Sequence, residues 1–406
     1  MKITTNAYRI AATALAVVAS PLTAEEEAAS PLSSAISQLE SIPGKFSLNT
    51  RLRYEEFENA DKETGGTSIR ARYGYTTPSF NGFTAMVEGE TLSRIGDDAD
   101  ELPGLDNAGD GTDLNQLWVQ YKDADLGSAK LGRQIYVLDD QRFVGHVGWR
   151  QNIQTFDAFT GAVTAIDNLT LKAFYFDGVE RVNANSDELD SIGLNLTYKF
   201  APSAVLTAFY YDIENEDAAA FDNTTVGARY VGSTDAAGLG FKYALSYASQ
   251  SDVTSGKEGD YYAADVSTAV SGVTLGLGIE VLEAGFRTPL ATVHKFNGFA
   301  DKFAGGSISG GITDGLEVVG LEDVYVYAGY KIPVGNGIVT KVIYHDFSPE
   351  SSSGKGGDEI DLVAAYKLNK YTKAVAKYGD YSADSGAAGS FEDDQRMFSF
   401  ELNFIY

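Results

Sequence analysis

The chain ends on Phe398-Ser399-Phe400-Glu401-Leu402-Asn403-Phe404-Ile405-Tyr406, with an aromatic residue or leucine at every second position up to the last. Side chains of a strand alternate between its two faces, so this segment has one wholly apolar face and one mostly polar face. The apolar face has to meet either a protein core or lipid. A closed membrane barrel accounts for such a terminal strand, because the last strand pairs with the first while its outer face meets lipid.

The beginning of the chain agrees with export. Lys2 and Arg9 precede the apolar run Ile10-Ala-Ala-Thr-Ala-Leu-Ala-Val-Val18, and Ala24 stands just before Glu25-Glu26-Glu27. This pattern predicts a secretory signal peptide over 1–24, too short to cross a bilayer as a helix. A periplasmic leader over 25–45 follows, with a short helix over Leu32 to Ile42, and then a barrel over 46–406. No later stretch reaches the roughly 18 apolar residues of a spanning helix, and the mean hydropathy is −0.16. Spanning strands remain, since each carries only a weak signal.

Composition narrows the class. The chain has 43 Gly, 24 Tyr and 22 Phe against 9 Pro and no Cys, which suits strands with interfacial aromatic girdles and no disulfide staple. A net charge of −26 opposes a nucleic-acid partner, which demands a basic surface. Period-two alternation predicts 18 strands, the first over 46–57 and the last over 393–406. Short links such as 78–81, 123–126, 165–167 and Ser271 alternate with longer ones such as 58–66, 92–112, 135–152 and 284–320. An all-β, antiparallel, up-and-down transmembrane barrel has this rhythm, with short periplasmic turns and long extracellular loops, and an even strand count puts both ends in the periplasm. The strands run to about 10 residues, the length of a tilted bilayer crossing, whereas strands of a soluble sandwich average five or six.

Facing follows from cost. Leu48, Leu52 and Tyr54 oppose Asn49, Arg51 and Arg53, while Ile69, Ala71, Tyr73 and Tyr75 oppose Ser68, Arg70 and Arg72. A basic residue at the lipid midplane costs roughly 2 to 4 kcal/mol. Four on the wrong face would cost on the order of 10 kcal/mol, comparable to a whole folding free energy. The four arginines are therefore expected in the lumen. The same reading sends Lys130, Lys172, Lys199, Arg229, Lys242, Lys341, Lys373 and Lys377 inward, together with Glu55, Glu88, Glu90, Glu280, Asp361 and Glu401. Much of the acidic excess falls in external links, as in Asp97, Asp98, Asp100, Glu101, Asp106, Asp110 and Asp113. Two readings of the inward bases stay open: they keep a wide channel wet and pair with acids, or they form a ladder that guides anionic solutes.

The densest motif runs Leu131-Gly-Arg-Gln-Ile-Tyr-Val-Leu-Asp-Asp-Gln-Arg-Phe-Val-Gly-His-Val-Gly-Trp-Arg-Gln-Asn-Ile-Gln-Thr-Phe-Asp-Ala158, and a second runs His294-Lys-Phe-Asn-Gly-Phe-Ala-Asp-Lys-Phe303, followed by Leu321-Glu-Asp-Val-Tyr325. These stretches resemble the alginate-export porin family, which carries a similar Gly-Arg-Gln, Gln-Arg-Phe-x-Gly, Trp-Arg and Phe-Asp-Ala sequence. The resemblance implies an 18-stranded outer-membrane barrel whose loops fold inward to constrict a hydrophilic channel. It implies neither alginate nor any other cargo. At the matching positions it makes Arg133, Arg142, Arg150 and Asp157 candidates for the constriction, with Arg51, Arg53, Arg70, Arg72, Lys172 and Arg229 as further pore lining. The alternative is that the motif residues staple the third external loop to the wall by salt bridges. Trp149 reads as a packing anchor rather than a sugar platform.

An enzymatic reading has little support. His146, His294 and His345 stand in no metal-ligand spacing, and adjacent His345 and Asp346 point to opposite faces of a strand. No glycine-rich phosphate loop opens a helix, so no cofactor and no metal is expected. The expected function is a porin of a Gram-negative outer membrane, passing small hydrophilic solutes, anionic ones among them. The alternatives are a dedicated exporter or importer of an anionic polysaccharide or oligosaccharide, and a structural or adhesive barrel with a closed lumen. The expected partners are the lipid bilayer, lipopolysaccharide, small hydrophilic solutes and, through the terminal aromatic, the barrel-assembly machinery.

Overall fold

A computed structural model describes residues 42–96, 111–218, 222–252, 258–303 and 319–406. The expected signal peptide, nearly all of the leader with its helix, and the acidic stretch from Asp97 to Asp110 lie outside the described residues. The strands are β1 Lys45–Asn59, β2 Glu63–Thr76, β3 Phe83–Ile95, β4 Gly111–Asp123, β5 Gly127–Gln134, β6 Thr155–Ile166, β7 Leu169–Glu180, β8 Ser186–Ala201 and β9 Ala204–Ile213. They continue as β10 Asn223–Ala236, β11 Leu239–Asp252, β12 Glu258–Val270, β13 Val273–Leu282, β14 Leu321–Ile332, β15 Ile338–Ser348, β16 Gly357–Lys367, β17 Thr372–Ala383 and β18 Gln395–Ile405.

Each strand pairs antiparallel with its neighbours in sequence, and β18 closes on β1. At the seam Leu52 faces Leu402 and Tyr54 faces Phe400. Leu48 and Tyr406 exchange backbone hydrogen bonds of 3.1 and 2.8 Å, so the last residue completes the ring. No edge is left unpaired, which is the condition for a sheet to sit in hydrocarbon. Leu52, Ile69, Val87, Leu117, Val119, Leu131, Phe159, Leu194, Leu245, Leu277, Val326 and Leu362 are exposed around the outer wall. An apolar belt of this extent is a lipid contact. Ring pairs such as Phe46–Tyr75 at 4.9 Å, Phe83–Tyr121 at 4.8 Å and Tyr371–Tyr406 at 6.1 Å form the periplasmic girdle.

Periplasmic turns are tight because pairs such as Asn81-Gly82, Ala237-Gly238 and Ser271-Gly272 take positive φ at both positions. That geometry matches the twist of the flanking strands. On the external side the strands overrun the membrane, up to the 16 residues of β8. The first external link therefore shrinks from the expected 58–66 to 60–62, and the fourth from 179–189 to 181–185. Polar residues such as Glu56 and Glu58 continue the ladder there, above the level at which an outer face has to be apolar.

The hydrophobic core lies inside the barrel. The third external loop, L3 (135–154), folds inward and packs Tyr136, Leu138, Phe143 and Val144 on Phe156, Phe174, Phe176, Phe209, Tyr211, Tyr261 and Phe286. The described part of the seventh, L7 (283–320), contributes Phe286 and Leu290 to that cluster. A second cluster of Ala300, Phe303, Leu321, Phe347, Tyr381 and Phe391 seats the far end of the inward segment of L7.

Candidate functional site: the lumen constriction

Arg51 and Arg53 on β1, and Arg70 and Arg72 on β2, all face the lumen. L3 covers them. Arg51 Nη1 donates to the carbonyls of Trp149 (2.8 Å) and Arg150 (3.0 Å), and its Nη2 donates to that of Gly148 (3.0 Å). Arg53 donates to the Trp149 carbonyl and pairs with Glu401 at 2.7 Å and Glu55 at 3.2 Å. Arg72 reaches the Gln151 carbonyl at 3.1 Å and pairs with Glu90. Backbone carbonyls of an irregular loop buried in a barrel need donors from outside the loop, and the planar guanidinium fork supplies several at once. Arg53 and Arg70 are at most 1% exposed. Arg51, Arg53 and Arg72, expected to line the pore, thus buttress L3, while Arg70 is buried and donates to the Asn49 carbonyl of β1 at 3.3 Å.

L3 and L7 hold one another. Val144 and Leu290 form a parallel bridge, with Gly145 N donating to the Leu290 carbonyl (2.8 Å) and Thr292 N to that of Gln141 (2.9 Å). Val147 stands at φ 50°, a conformation β-branched residues avoid, and its N–H donates to Thr292 Oγ1 at 3.0 Å. Trp149 stacks on His294 at 4.1 Å and 3°. The His294 Nδ1–H donates to Asp301 at 2.7 Å, its Nε2 accepts from Lys377 Nζ at 3.0 Å, and Asp301 also pairs with Arg150. Burial, with Lys377 and Arg150 nearby, holds the His294 pKa down to about 3, so the ring is neutral. Burial pushes the Asp301 carboxyl up, but His294, Arg150 and Lys377 outweigh it and hold it below its ordinary value. L7 is moored to the wall by the N–H groups of Phe299 on Asp361 (3.0 Å) and Ala300 on Glu359 (2.7 Å).

The motif residues separate. Arg142 pairs with Glu280 on β13 at 2.9 Å and donates to Asn297 of L7, and Arg150 bonds Asp301 and Glu55, so both staple the loops. Arg133 and Asp157 correct the expectation that they form the constriction. They point outward beside Leu131 and Phe159, which are exposed on the lipid side, and join Glu180 in an ionic trio at 2.7 and 2.8 Å. In Gly132-Arg-Gln134 the strand alternation sends Gln134 inward, to 0% exposure, and Arg133 outward. The midplane penalty does not apply there, because the trio lies at the external ends of β5 to β7, at headgroup level. Lys172 and Arg229 face the lumen. Arg229 pairs with Asp140 at 2.8 Å, and the neighbouring Asp139 accepts from Asn195 Nδ2 at 2.7 Å.

An open cavity of about 310 Å³ remains between the loops and the β10–β16 wall. Asp140, Asp265, Glu280, Asp323 and Asp361 line it against Arg229, Lys295, Lys341 and His345, with Tyr261, Tyr325 and Tyr327 between them. Glu280, Asp323, Asp361 and His345 are buried behind it, so the charges that reach the passage are Asp140 and Asp265 with Arg229, Lys295 and Lys341. Asp265 and Tyr327 escaped the sequence reading, and Lys295, Asp323 and Tyr325 stood inside its second motif without a role. One signal for the tyrosines was legible: Gly276-x-Gly278 on β13 pairs directly with Tyr325-x-Tyr327 on β14.

A closed, lipid-belted barrel of 18 strands, narrowed by two inward loops around a hydrophilic passage, is an outer-membrane porin. The chain belongs to the alginate export family, whose family model matches residues 44–277. Among solved structures, OccK11 (OpdR) of Pseudomonas aeruginosa superposes with a TM-score of 0.66 at 14% identity, covering 89% of this chain and 95% of that one. OccAB4 of Acinetobacter baumannii gives 0.68 at 13% identity, over 90% and 98%. OpdK of Pseudomonas aeruginosa, solved with vanillate, gives 0.67 at 13% identity, over 89% and 98%. At these identities the likeness is one of fold. The comparison with curated proteins finds no match.

Proposed function

We propose that the protein is a passive channel for small hydrophilic solutes, with the route running along the β10–β16 wall. The observation that carries this reading is the passage itself, bounded by five carboxylates, two lysines, one arginine and His345. Arg51, Arg53 and Arg72 are spent on seating L3 and Arg70 is buried, so their number does not make the open passage a route for anions. Transport accounts for this lining. A second reading, passage of an anionic polysaccharide, draws on the family's description. It requires L3 and L7 to withdraw and bare the arginine wall. In biogenesis, the terminal strand with Tyr406 serves as the segment read by the barrel-assembly machinery.

Purified protein in a planar bilayer tests the proposal. Discrete conductance steps are expected, with a reversal potential under a potassium chloride gradient that shows no anion preference. Absence of steps would overturn the channel, and anion preference would return the route to the arginine wall.

A further inference from the structure

Gly276 and Gly278 face the lumen on β13, and a Cβ at either position would lie 2.2 Å from the Tyr327 ring or 2.4 Å from the Tyr325 ring. Lacking it, both rings lie across β13, with centroids 6.3 Å apart and planes within 21°. Their hydroxyls reach across to β12 and donate to the two oxygens of Asp265, each at 3.2 Å. Among the described residues no cation lies within ion-pairing distance of Asp265. Lys341 from β15 places its Nζ 4.0 Å from the Tyr327 centroid, and among the described residues its ammonium makes no hydrogen bond and no ion pair.

Two tyrosine rings held by their hydroxyls on one carboxylate that has no ion-pair partner among the described residues are what an organic cation needs. The rings supply the quadrupole attraction, and the carboxylate supplies charge. That an ammonium fits the place is visible in Lys341, which occupies it. We infer that Tyr325, Tyr327 and Asp265 form a recognition subsite for the ammonium group of small amine-bearing solutes, and that Lys341 is a tethered competitor for it. The inference rests on the channel reading and adds a solute class to it. A cation entering the passage displaces the Lys341 head, which swings on its four-carbon stem into the lumen. Lys341 then sets how long such solutes stay.

The test uses the full-length protein in a planar bilayer with choline chloride, whose quaternary ammonium does not titrate, added on one side of a potassium chloride solution. Choline is expected to interrupt the current in a concentration-dependent way. Lys341→Met keeps the stem and removes the competitor, and it should lower the blocking concentration by about tenfold. Asp265→Asn and Tyr327→Leu should each raise it, and Gly276→Ala, which pushes the Tyr327 ring off the wall, should match Tyr327→Leu. If Asp265→Asn does not assemble, the two ring variants decide. Unchanged or weaker block in Lys341→Met, or undiminished block in the ring variants, would overturn the subsite while leaving a conducting channel. A protein that conducts nothing would overturn the channel reading and this inference with it.

Discussion

Trp149 sits where three parts of the molecule meet: His294 of L7 stacks on it, Arg53 of β1 lies 4.2 Å from its centroid, and Lys377 of β17 lies 3.7 Å from it. The cation under it is the more consequential partner. Arg53 joins Glu401, Glu55 and the Trp149 carbonyl in one buried node, so its loss takes the nearest cation from two carboxylates, leaving them the longer contacts of Arg51 and Arg150 at 3.5 Å. Breaking a buried ion pair from one side costs roughly 3 to 5 kcal/mol. Arg53→Met should accordingly lower the urea midpoint for unfolding in detergent by a clear margin, with L3 loosened in the process. A midpoint equal to that of the parent would mean that Arg53 is wet and dispensable. At this scale the sequence was half legible. The cost of a cation in hydrocarbon told that Arg51, Arg53, Arg70 and Arg72 point inward, but the partners of Arg51, Arg53 and Arg72 are carbonyls of a segment 79 to 99 residues away, whose path no local pattern encodes. At Arg133 the family resemblance pointed to the constriction, whereas the alternation of Gly132-Arg-Gln134 turns its side chain outward.

L3 and L7 behave as one element, tied by the Val144–Leu290 bridge, the Thr292 hydroxyl under Val147 and the His294–Asp301–Arg150 chain. Their seating is sensitive to acid, and the sign can be worked out. His294 has a pKa of about 3 when seated against an ordinary 6.5 when released, so below pH 6.5 the released loop binds a proton that the seated loop refuses. Asp301, depressed in the seated state, adds a loss of the same sign below its ordinary value of 3.8. Seating therefore weakens as pH falls from about 6.5 towards 3. The expected outcome is a larger and noisier single-channel current at pH 4 than at pH 7, with the difference reduced in His294→Gln. A current that is quiet and constant across this range would contradict the mooring. Length marked both segments as loops in the sequence. Their joining did not show, because a parallel bridge between two irregular stretches leaves no periodicity to read.

The barrel as a whole was the most legible level, since a side-chain period of two repeated over 18 strands leaves few arrangements that bury every backbone group. The seam follows from the same rule: Phe398, Phe400, Leu402 and Phe404 can meet lipid only if Ser399, Glu401 and Asn403 face the lumen, where Glu401 finds Arg53 and Asn403 finds Arg51. What the alternation could not tell is which part of the lumen stays open, because that depends on where two loops come to rest. The central claim is that solutes pass along the β10–β16 wall and not along the β1–β2 arginines. Two conservative cysteines separate these routes: Ala263→Cys in the passage and Ser68→Cys, whose parent side chain is 1% exposed under Gln151. Single-channel current followed during addition of a charged, water-soluble thiol reagent should fall in steps for Ala263→Cys and stay unchanged for Ser68→Cys. Modification of Ser68→Cys with Ala263→Cys unaffected would put the route on the arginine wall and contradict the account.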